Sequence, residues 1–206
     1  MNLRYFLKMG LLAGLVLASG CSSGYKIPQI SGLAFGVLIK IDASCPAGLL
    51  DHSWEFITGS GHAGLYLKKG WSERILTHLA DAHKNLGIQY VRFHGIFGDD
   101  VAIYQGFGRY DFSGVDKIYD GILSAGVKPF IELSFMPKEL ARGRARGFPL
   151  GYKPYISPPL SYEEWGRLVK GFVEHLVERY GLEEVKSWYF EVWNEPNLFA
   201  FWSGDM

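Results

Sequence analysis

Apolar side chains recur at intervals of three and four residues in three stretches of this chain of 206 residues, which predicts three amphipathic helices. We expect these helices at residues 72–87, 113–126 and 161–181. Each stretch begins with a serine that can cap the first turn and ends at a glycine that can adopt the left-handed conformation. The third is the most regular, because the capping-box pattern Ser-Tyr-Glu-Glu opens a single apolar stripe.

Runs rich in β-branched and aromatic residues alternate with these helices and predict four strands. The runs are Trp54–Thr58, Ile88–His94, Val127–Ser134 and Ser187–Trp193. Strands that alternate with helices of this length are typical of βαβ units, so we predict the α/β class, with a parallel sheet and right-handed connections. The segment Leu33–Ile41 does not fit the alternation and is a candidate strand of an accessory sheet.

The N-terminal residues predict where the protein is found. Residues 1–20 contain a basic start, an apolar run and two small residues, which are the three parts of a secretory signal. The sequence Leu-Ala-Ser-Gly-Cys, which ends at Cys21, resembles a bacterial lipoprotein box, in which the cysteine is lipidated. We therefore expect a lipoprotein signal peptide at 1–20, a tether and accessory-strand segment at 21–50, and an exported protein anchored to a membrane in the periplasm or at the cell surface. An ordinary secreted protein with an incidental cysteine is the alternative.

Charge and residue spacing argue against two kinds of ligand. The 21 basic and 21 acidic residues cancel, which leaves no electrostatic reason to expect nucleic acid as a partner. Asp99 and Asp100 follow the second predicted strand, but no histidine or third carboxylate stands near them at a spacing suited to metal ligands. We therefore predict no metal site and no other cofactor.

The stretch Gly59–Gly64 matches the dinucleotide-binding pattern G-x-G-x-x-G. Such a phosphate-binding turn must open directly into a helix, whereas Leu65–Trp71 separates these glycines from the first predicted helix. We expect instead that the glycines let the backbone pass close to a ligand or a neighbouring strand.

A carboxylate stands where the fourth predicted strand must stop. Pro196 cannot supply a ladder N–H, so Glu195 lies at the carboxyl end of a strand, where α/β barrels place catalytic groups. We expect aromatic residues around Glu195 to desolvate it partly, in an environment suited to a general acid. These residues are Trp188, Trp193, Phe199, Phe201 and Trp202. A turn with a solvated glutamate is the alternative.

A second polar group lies on the second predicted strand. Because side chains alternate along a strand, Arg92 and His94 share one face. An arginine and a histidine that point into the same space can hold a carboxylate ionised and bind substrate hydroxyls. The alternative is that Arg92 pairs structurally with a buried acid such as Glu132 or Glu191.

Several of these motifs together resemble one family. Trp193–Asn197 looks like the acid/base signature of retaining (β/α)8 glycoside hydrolases, and the stretches 92–100, 128–137 and 188–202 are similar to glycoside hydrolase family 39, the β-xylosidases and α-L-iduronidases. The resemblance covers the chain from about Trp54 to its end. It implies a (β/α)8 TIM barrel, and because a closed barrel needs roughly 250 residues, residues 51–206 would be its N-terminal half, with about four β/α units.

The resemblance also implies roles. Glu195 would be the general acid/base, Asn194 would bond the sugar 2-hydroxyl, and Arg92, His94 and His62 would line the sugar subsite. Strict alternation would point Asn194 and Glu195 apart, so the strand must bulge or end between them. In this clan the nucleophile is a glutamate on strand seven, so we expect it to be absent from this chain and the chain alone to be inactive.

The predicted function is that of a retaining glycoside hydrolase, a β-xylosidase that releases xylose from xylosides and xylo-oligosaccharides. Its partners would be the carbohydrate substrate and, through Cys21, a membrane. An α-L-iduronidase-like glycosidase and a non-catalytic carbohydrate-binding lipoprotein are the alternatives.

Overall fold

The structure is a computed structural model that describes Ser44 and residues 48–144 and 152–204. The chain divides into two compact units, Met1–Asp51 and His52–Met206, and every helix and strand reported below belongs to the second. The predicted signal peptide, Cys21 and the candidate accessory strand lie outside the described residues. Within the described ranges, no helix is both long enough and apolar enough to span a bilayer.

Four parallel strands form one sheet in chain order. They are β1 (Ile57–His62), β2 (Tyr90–His94), β3 (Lys128–Glu132) and β4 (Tyr189–Glu191). The predicted α/β class with a parallel sheet is confirmed. β1 differs from its prediction, because Ser53–Glu55 forms a 3-10 turn and the strand starts later and runs on to His62.

Helices follow the first three strands, as the apolar periodicity predicts. They are α1 (Ser72–Leu86), α2 (Ser113–Ser124) and α3 (Tyr162–Tyr180), and a single turn, α4 (Leu182–Val185), leads into β4. A short 3-10 segment, Ala63–Leu67, connects β1 toward α1. The three predicted helices are therefore confirmed.

Only one of the three predicted serine caps is present. Ser161 accepts a hydrogen bond from the Glu164 N–H at 3.1 Å and caps α3. Ser72 and Ser113 are instead the first residues of their helices, and Asp111 Oδ1 accepts from the Ser113 N–H at 2.9 Å. A serine in the first helical position cannot reach the N–H groups that an N-cap side chain satisfies. The N-cap residues are Trp71 and Phe112, one residue before the predicted serines.

In a capping box the carboxylate of Glu164 would accept a hydrogen bond from the Ser161 N–H, but it binds donors outside the box. Its buried carboxylate accepts from the Gly108 N–H at 2.9 Å and from Arg167 Nε at 2.8 Å. Burial raises the pKa of Glu164, but these donors outweigh it, so the net pKa lies below its usual value. The carboxylate thus ties the loop before α2 to the start of α3.

The two faces of the sheet differ in what covers them. On the outer face, Val91, Phe93 and Ile131 are buried in a core shared with α1, α2 and α3. The inner face carries the alternate residues of the strands. Toward the amino-terminal ends of the strands, this face carries an aromatic layer with ring centroids 5.0–5.4 Å apart, formed by Phe56, Tyr90, Phe130 and Tyr189.

The glycine-rich stretch lies in β1 and the 3-10 segment after it, so it does not form a phosphate-binding turn at a helix start. The predicted close approach involves Gly64. A β-carbon on Gly64 would stand 1.9 Å from Asp100 Oδ2, so only glycine leaves room for this carboxylate.

Candidate active site

Polar residues gather where the strands end. β1 ends at His62, β2 at His94, β3 at Glu132 and β4 at Glu191. His62 pairs in register with His94, and Glu132 pairs with Glu191. Because the strands are parallel, these side chains share one border of the sheet, which we call the carboxyl edge.

Arg92 on the inner face joins three residues of this edge. Its Nε and Nη2 donate to the two carboxylate oxygens of Glu191 at 2.6 and 2.8 Å, and Nη2 also donates to Asn194 Oδ1 at 2.9 Å. Nη2 lies 3.1 Å from Glu132 Oε2 as well. The bond with Glu191 is the largest cause of a raised pKa for Arg92, which keeps it a guanidinium cation. Arg92 therefore pairs with both candidate acids and also holds Asn194.

Glu132 is the most buried carboxylate of the carboxyl edge. Its Oε2 lies 2.5 Å from His94 Nδ1, and its Oε1 accepts a hydrogen bond from the Ser134 hydroxyl. Ser134, whose peptide bond to Phe135 is cis, in turn accepts from the Gly95 N–H at 3.3 Å. Buried charges persist when they are paired and hydrogen-bonded, and this carboxylate has donors on both oxygens.

The turn after β4 brings Asn194 and Glu195 to the same side. β4 ends at Glu191, and Glu195 adopts the left-handed conformation with φ +40°. Its carboxylate Oε2 then lies 3.4 Å from Asn194 Nδ2. The strand therefore ends before both residues, not between them, and stops earlier than the predicted Trp193. A left-handed residue other than glycine costs about 1–2 kcal/mol, and here the bond from the Leu198 N–H to the Glu195 carbonyl at 2.9 Å helps to hold it.

The predicted aromatic enclosure of Glu195 is wrong for the described chain, in which Glu195 is exposed. Trp188 faces the helices, where its ring packs on Tyr119 and Tyr180 with centroids 5.6 and 5.3 Å away. Phe199 is 80% exposed. Trp193 and Trp202 pack on each other with centroids 5.3 Å apart. The sequence places aromatic residues near the motif but does not reveal their directions.

His62 forms a second part of the site. Its Nε2 lies 3.0 Å from Asp100 Oδ2, and its ring stacks on Tyr152 with centroids 4.2 Å apart. These residues line a pocket of about 210 Å³, together with Asp99 and Lys153. Burial raises the pKa of Asp99 and, more strongly, that of Tyr152.

The structure thus brings Arg92, His94, Asn194 and Glu195 into one network, with His62 at the neighbouring pocket. Sequence reasoning did not single out Ser134 or Tyr152. Alternation could have found Ser134, which stands two residues after Glu132, whereas Tyr152 lies in a loop without periodicity. In the ranges that the structure describes, no group of three or more histidine, cysteine or acidic residues is arranged to hold a metal ion.

Comparison with known proteins identifies the family. The family model described as glycosyl hydrolases family 39 matches residues 37–206. The chain belongs to this family. It is 44% identical over 173 residues to a β-xylosidase of Caldicellulosiruptor saccharolyticus, a match that covers 82% of this chain and 34% of that protein. It is 28% identical over 172 residues to an α-L-iduronidase of Mus musculus, covering 80% of this chain and 25% of that protein.

A solved β-xylosidase structure has a similar fold. The crystal structure of a monomeric β-xylosidase from Caulobacter crescentus superposes with a TM-score of 0.66 at 38% identity, covering 76% of this chain and 31% of that chain. This family 39 chain therefore spans about a third of the length of the β-xylosidases that it matches.

Proposed function

We propose that the whole protein is a retaining β-xylosidase, which releases xylose from xylosides and xylo-oligosaccharides, and that Glu195 is its general acid/base. The observation that carries this proposal is the arrangement of Arg92, Asn194 and Glu195 at the carboxyl ends of parallel strands. Its support from relatives is the membership of family 39 and the 44% identity to a β-xylosidase.

The fold that goes with this proposal is a (β/α)8 barrel, of which the four described strands form the first four units. The strand order from β1 to β4, each parallel to the next, fits such a barrel. In barrels of this kind, active sites lie at the carboxyl ends of the strands, and the interior is filled by side chains from all strands. The aromatic layer of the inner face would be one part of that interior.

In the proposed mechanism, Glu195 first protonates the glycosidic oxygen that leaves. After a glycosyl-enzyme has formed, it removes a proton from the attacking water. Asn194 would bind the sugar 2-hydroxyl. Because Asn194 Oδ1 already accepts from Arg92, its amide group Nδ2 is the donor directed toward Glu195 and the substrate.

The nucleophile must be a second carboxylate, about 5 to 5.5 Å from the first. Glu132 and Glu191 are unsuited to this role, because each lies in a strand and forms an ion pair with Arg92 on β2. We therefore propose that the nucleophile comes from a later strand of the whole protein. The much greater length of the relatives supports this assignment.

Charge at the pocket beside His62 favours a neutral sugar over a uronic acid. Two carboxylates, Asp99 and Asp100, and one ammonium group, Lys153, line this pocket. The carboxylate of an iduronide would meet more negative than positive charge there, which disfavours binding. The pocket thus supports the xylosidase assignment over the iduronidase alternative.

We expect the whole protein to hydrolyse an aryl β-xyloside with a kcat/KM at least about tenfold higher than that for an aryl α-L-iduronide, because of this charge. Proton NMR of the reaction should show β-xylose as the first product. Initial formation of α-xylose would contradict the retaining mechanism, and preference for the iduronide would favour the iduronidase alternative. Binding of xylosides without hydrolysis would favour the carbohydrate-binding alternative.

We also propose that Cys21 is lipidated and anchors the protein to a membrane after export, on the basis of the small residues that precede it. The wild-type protein should then sediment with membranes and be released by detergent. Cys21→Ser should yield an uncleaved or soluble form, while Cys45→Ser serves as the control and should fractionate as wild type. Identical fractionation of wild type and Cys21→Ser would show that the proposed anchor is wrong.

A further inference from the structure

Glu132 and Glu191 occupy paired positions on neighbouring strands but have different partners. Both contact Arg92, at 3.1 and 2.6 Å respectively. Only Glu132 also contacts a histidine, through the 2.5 Å hydrogen bond between its Oε2 and His94 Nδ1. The Glu132 side chain is completely buried, whereas that of Glu191 is 26% exposed. Glu132 and Glu191 thus share Arg92 but differ in contact with histidine, and we call them the contrast pair.

Both carboxylate oxygens of Glu132 have partners on neighbouring side chains. The Arg92 cation lies 3.1 Å away, and the Ser134 hydroxyl donates to the other carboxylate oxygen. Both partners are hydrogen-bond donors, which suits a carboxylate that accepts on each oxygen. An ionised carboxylate can only accept hydrogen bonds, so the nitrogen that faces it, Nδ1 of His94, must carry a proton.

We propose that Glu132 is a positioning residue that holds His94 in the Nδ1–H form. In a neutral ring of this form, Nε2 is the hydrogen-bond acceptor, which suits recognition of a sugar hydroxyl. The ring orientation is held as well, because Phe135 and Phe201 lie near it with centroids 6.1 and 6.0 Å away. The sugar part of this inference rests on the proposed function, whereas the protonation of the ring does not.

The carboxylate of Glu132 is itself held in place by residues that follow β2 and β3. The Gly95 N–H donates to Ser134 Oγ, and Ser134 donates to Glu132 Oε1. Gly95 has φ +79°, and a β-carbon there would lie 3.3 Å from the Phe135 ring. A buried carboxylate restrained in this way can fix the tautomer and the ring orientation of the histidine that it binds. Hydrogen-bonded carboxylates have the same effect on histidines that bind metals.

The test is the protonation of His94 in the whole protein labelled with [¹⁵N]histidine. Long-range proton–nitrogen spectra at about pH 9, where free imidazole is neutral, should show a protonated Nδ1 and an unprotonated Nε2. Loss of the signals in His94→Gln assigns them. Once the signals are assigned, the wild-type spectrum alone tests the proposal. A ring protonated on Nε2 would overturn it.

Variants of the contrast pair then separate positioning from charge. In Glu132→Gln the amide group can donate to Nδ1, so the Nε2–H form should gain population and xylose should bind about tenfold more weakly. Glu132→Asp, which keeps a carboxylate, should restore the Nδ1–H form. Glu191→Gln removes a carboxylate from the same arginine and should leave the His94 signals as in wild type. Melting temperatures of all variants report whether they are folded.

Two outcomes overturn the proposal: His94 signals in folded Glu132→Gln that match wild type, or an equal change in Glu191→Gln. If Glu132→Gln does not fold, the wild-type spectrum and Glu132→Asp still decide. A shift of the ring proton in Glu132→Gln without any binding of xylose to the wild-type protein would support the positioning role and contradict the proposed substrate.

Discussion

Glu195→Gln should slow the whole protein on alkyl xylosides and xylo-oligosaccharides by about 10²–10⁴-fold, the usual contribution of general acid catalysis. Aryl xylosides with an activated leaving group should lose much less in the first, glycosylation step, because their leaving group needs little protonation. The measurement is kcat/KM for a series of xylosides whose leaving groups differ in pKa. The slope of log kcat/KM against leaving-group pKa should become steeper in the variant.

Two controls distinguish an acid/base role from a general disturbance of the turn. Glu183→Gln alters an exposed glutamate in α4, which contacts Lys186, and should leave the slope unchanged. In Glu195→Ala, added azide should partly restore turnover, since a small nucleophile can replace the activated water in the second step. Equal losses for good and poor leaving groups would remove Glu195 from the acid role.

Residues 25–206 expressed alone should be insoluble or molten and should show no xylosidase activity. β1 and β4 form the two edges of the described sheet, and unpaired edges template aggregation. Apolar surface is also uncovered on both faces near β4: Tyr189 is 45% exposed and Val192 is 65% exposed. The proposed nucleophile would also be missing from this segment.

This expectation is checked by size-exclusion chromatography, by near-ultraviolet circular dichroism and by a thermal scan, with the whole protein measured in parallel. The segment should lack a sharp near-ultraviolet spectrum and a cooperative transition. A soluble monomer with a cooperative transition and measurable hydrolysis would falsify the prediction. It would also require Glu132 or Glu191 to act as the nucleophile, despite their bonds to Arg92.

Helix positions follow from the sequence, but their exact starts do not. The apolar stripe of α3 and the left-handed Gly87 after α1 are local features, so periodicity and glycine placement predict them. Ser72 and Ser113 were expected as caps, yet each lies inside its helix. A cap depends on where the preceding loop enters the helix. Before α2, Phe112 packs on His175 with ring centroids 4.4 Å apart, whereas Trp71 before α1 is 47% exposed.

β1 shows the same limit for strands. Trp54 and Phe56 have high strand propensity, but the strand of the sheet is Ile57–His62, which includes two glycines. Pairing with β2 determines this register, because Ile57 lies opposite Tyr90 and His62 lies opposite His94. Local propensity is weaker than the ladder and packing interactions that β1 gains by pairing with β2.

By itself, the sequence determined the α/β class and the shared face of Arg92 and His94, since periodicity and alternation act between near neighbours. It did not determine that β4 ends as early as Glu191. Only the tertiary structure decided that Arg92 joins Glu132, Glu191 and Asn194, which lie 40 to 102 positions away along the chain. It also decided that Glu195 is exposed. Contacts across strands depend on sheet register and on the direction of the turn after β4, and neither leaves a local pattern in the sequence.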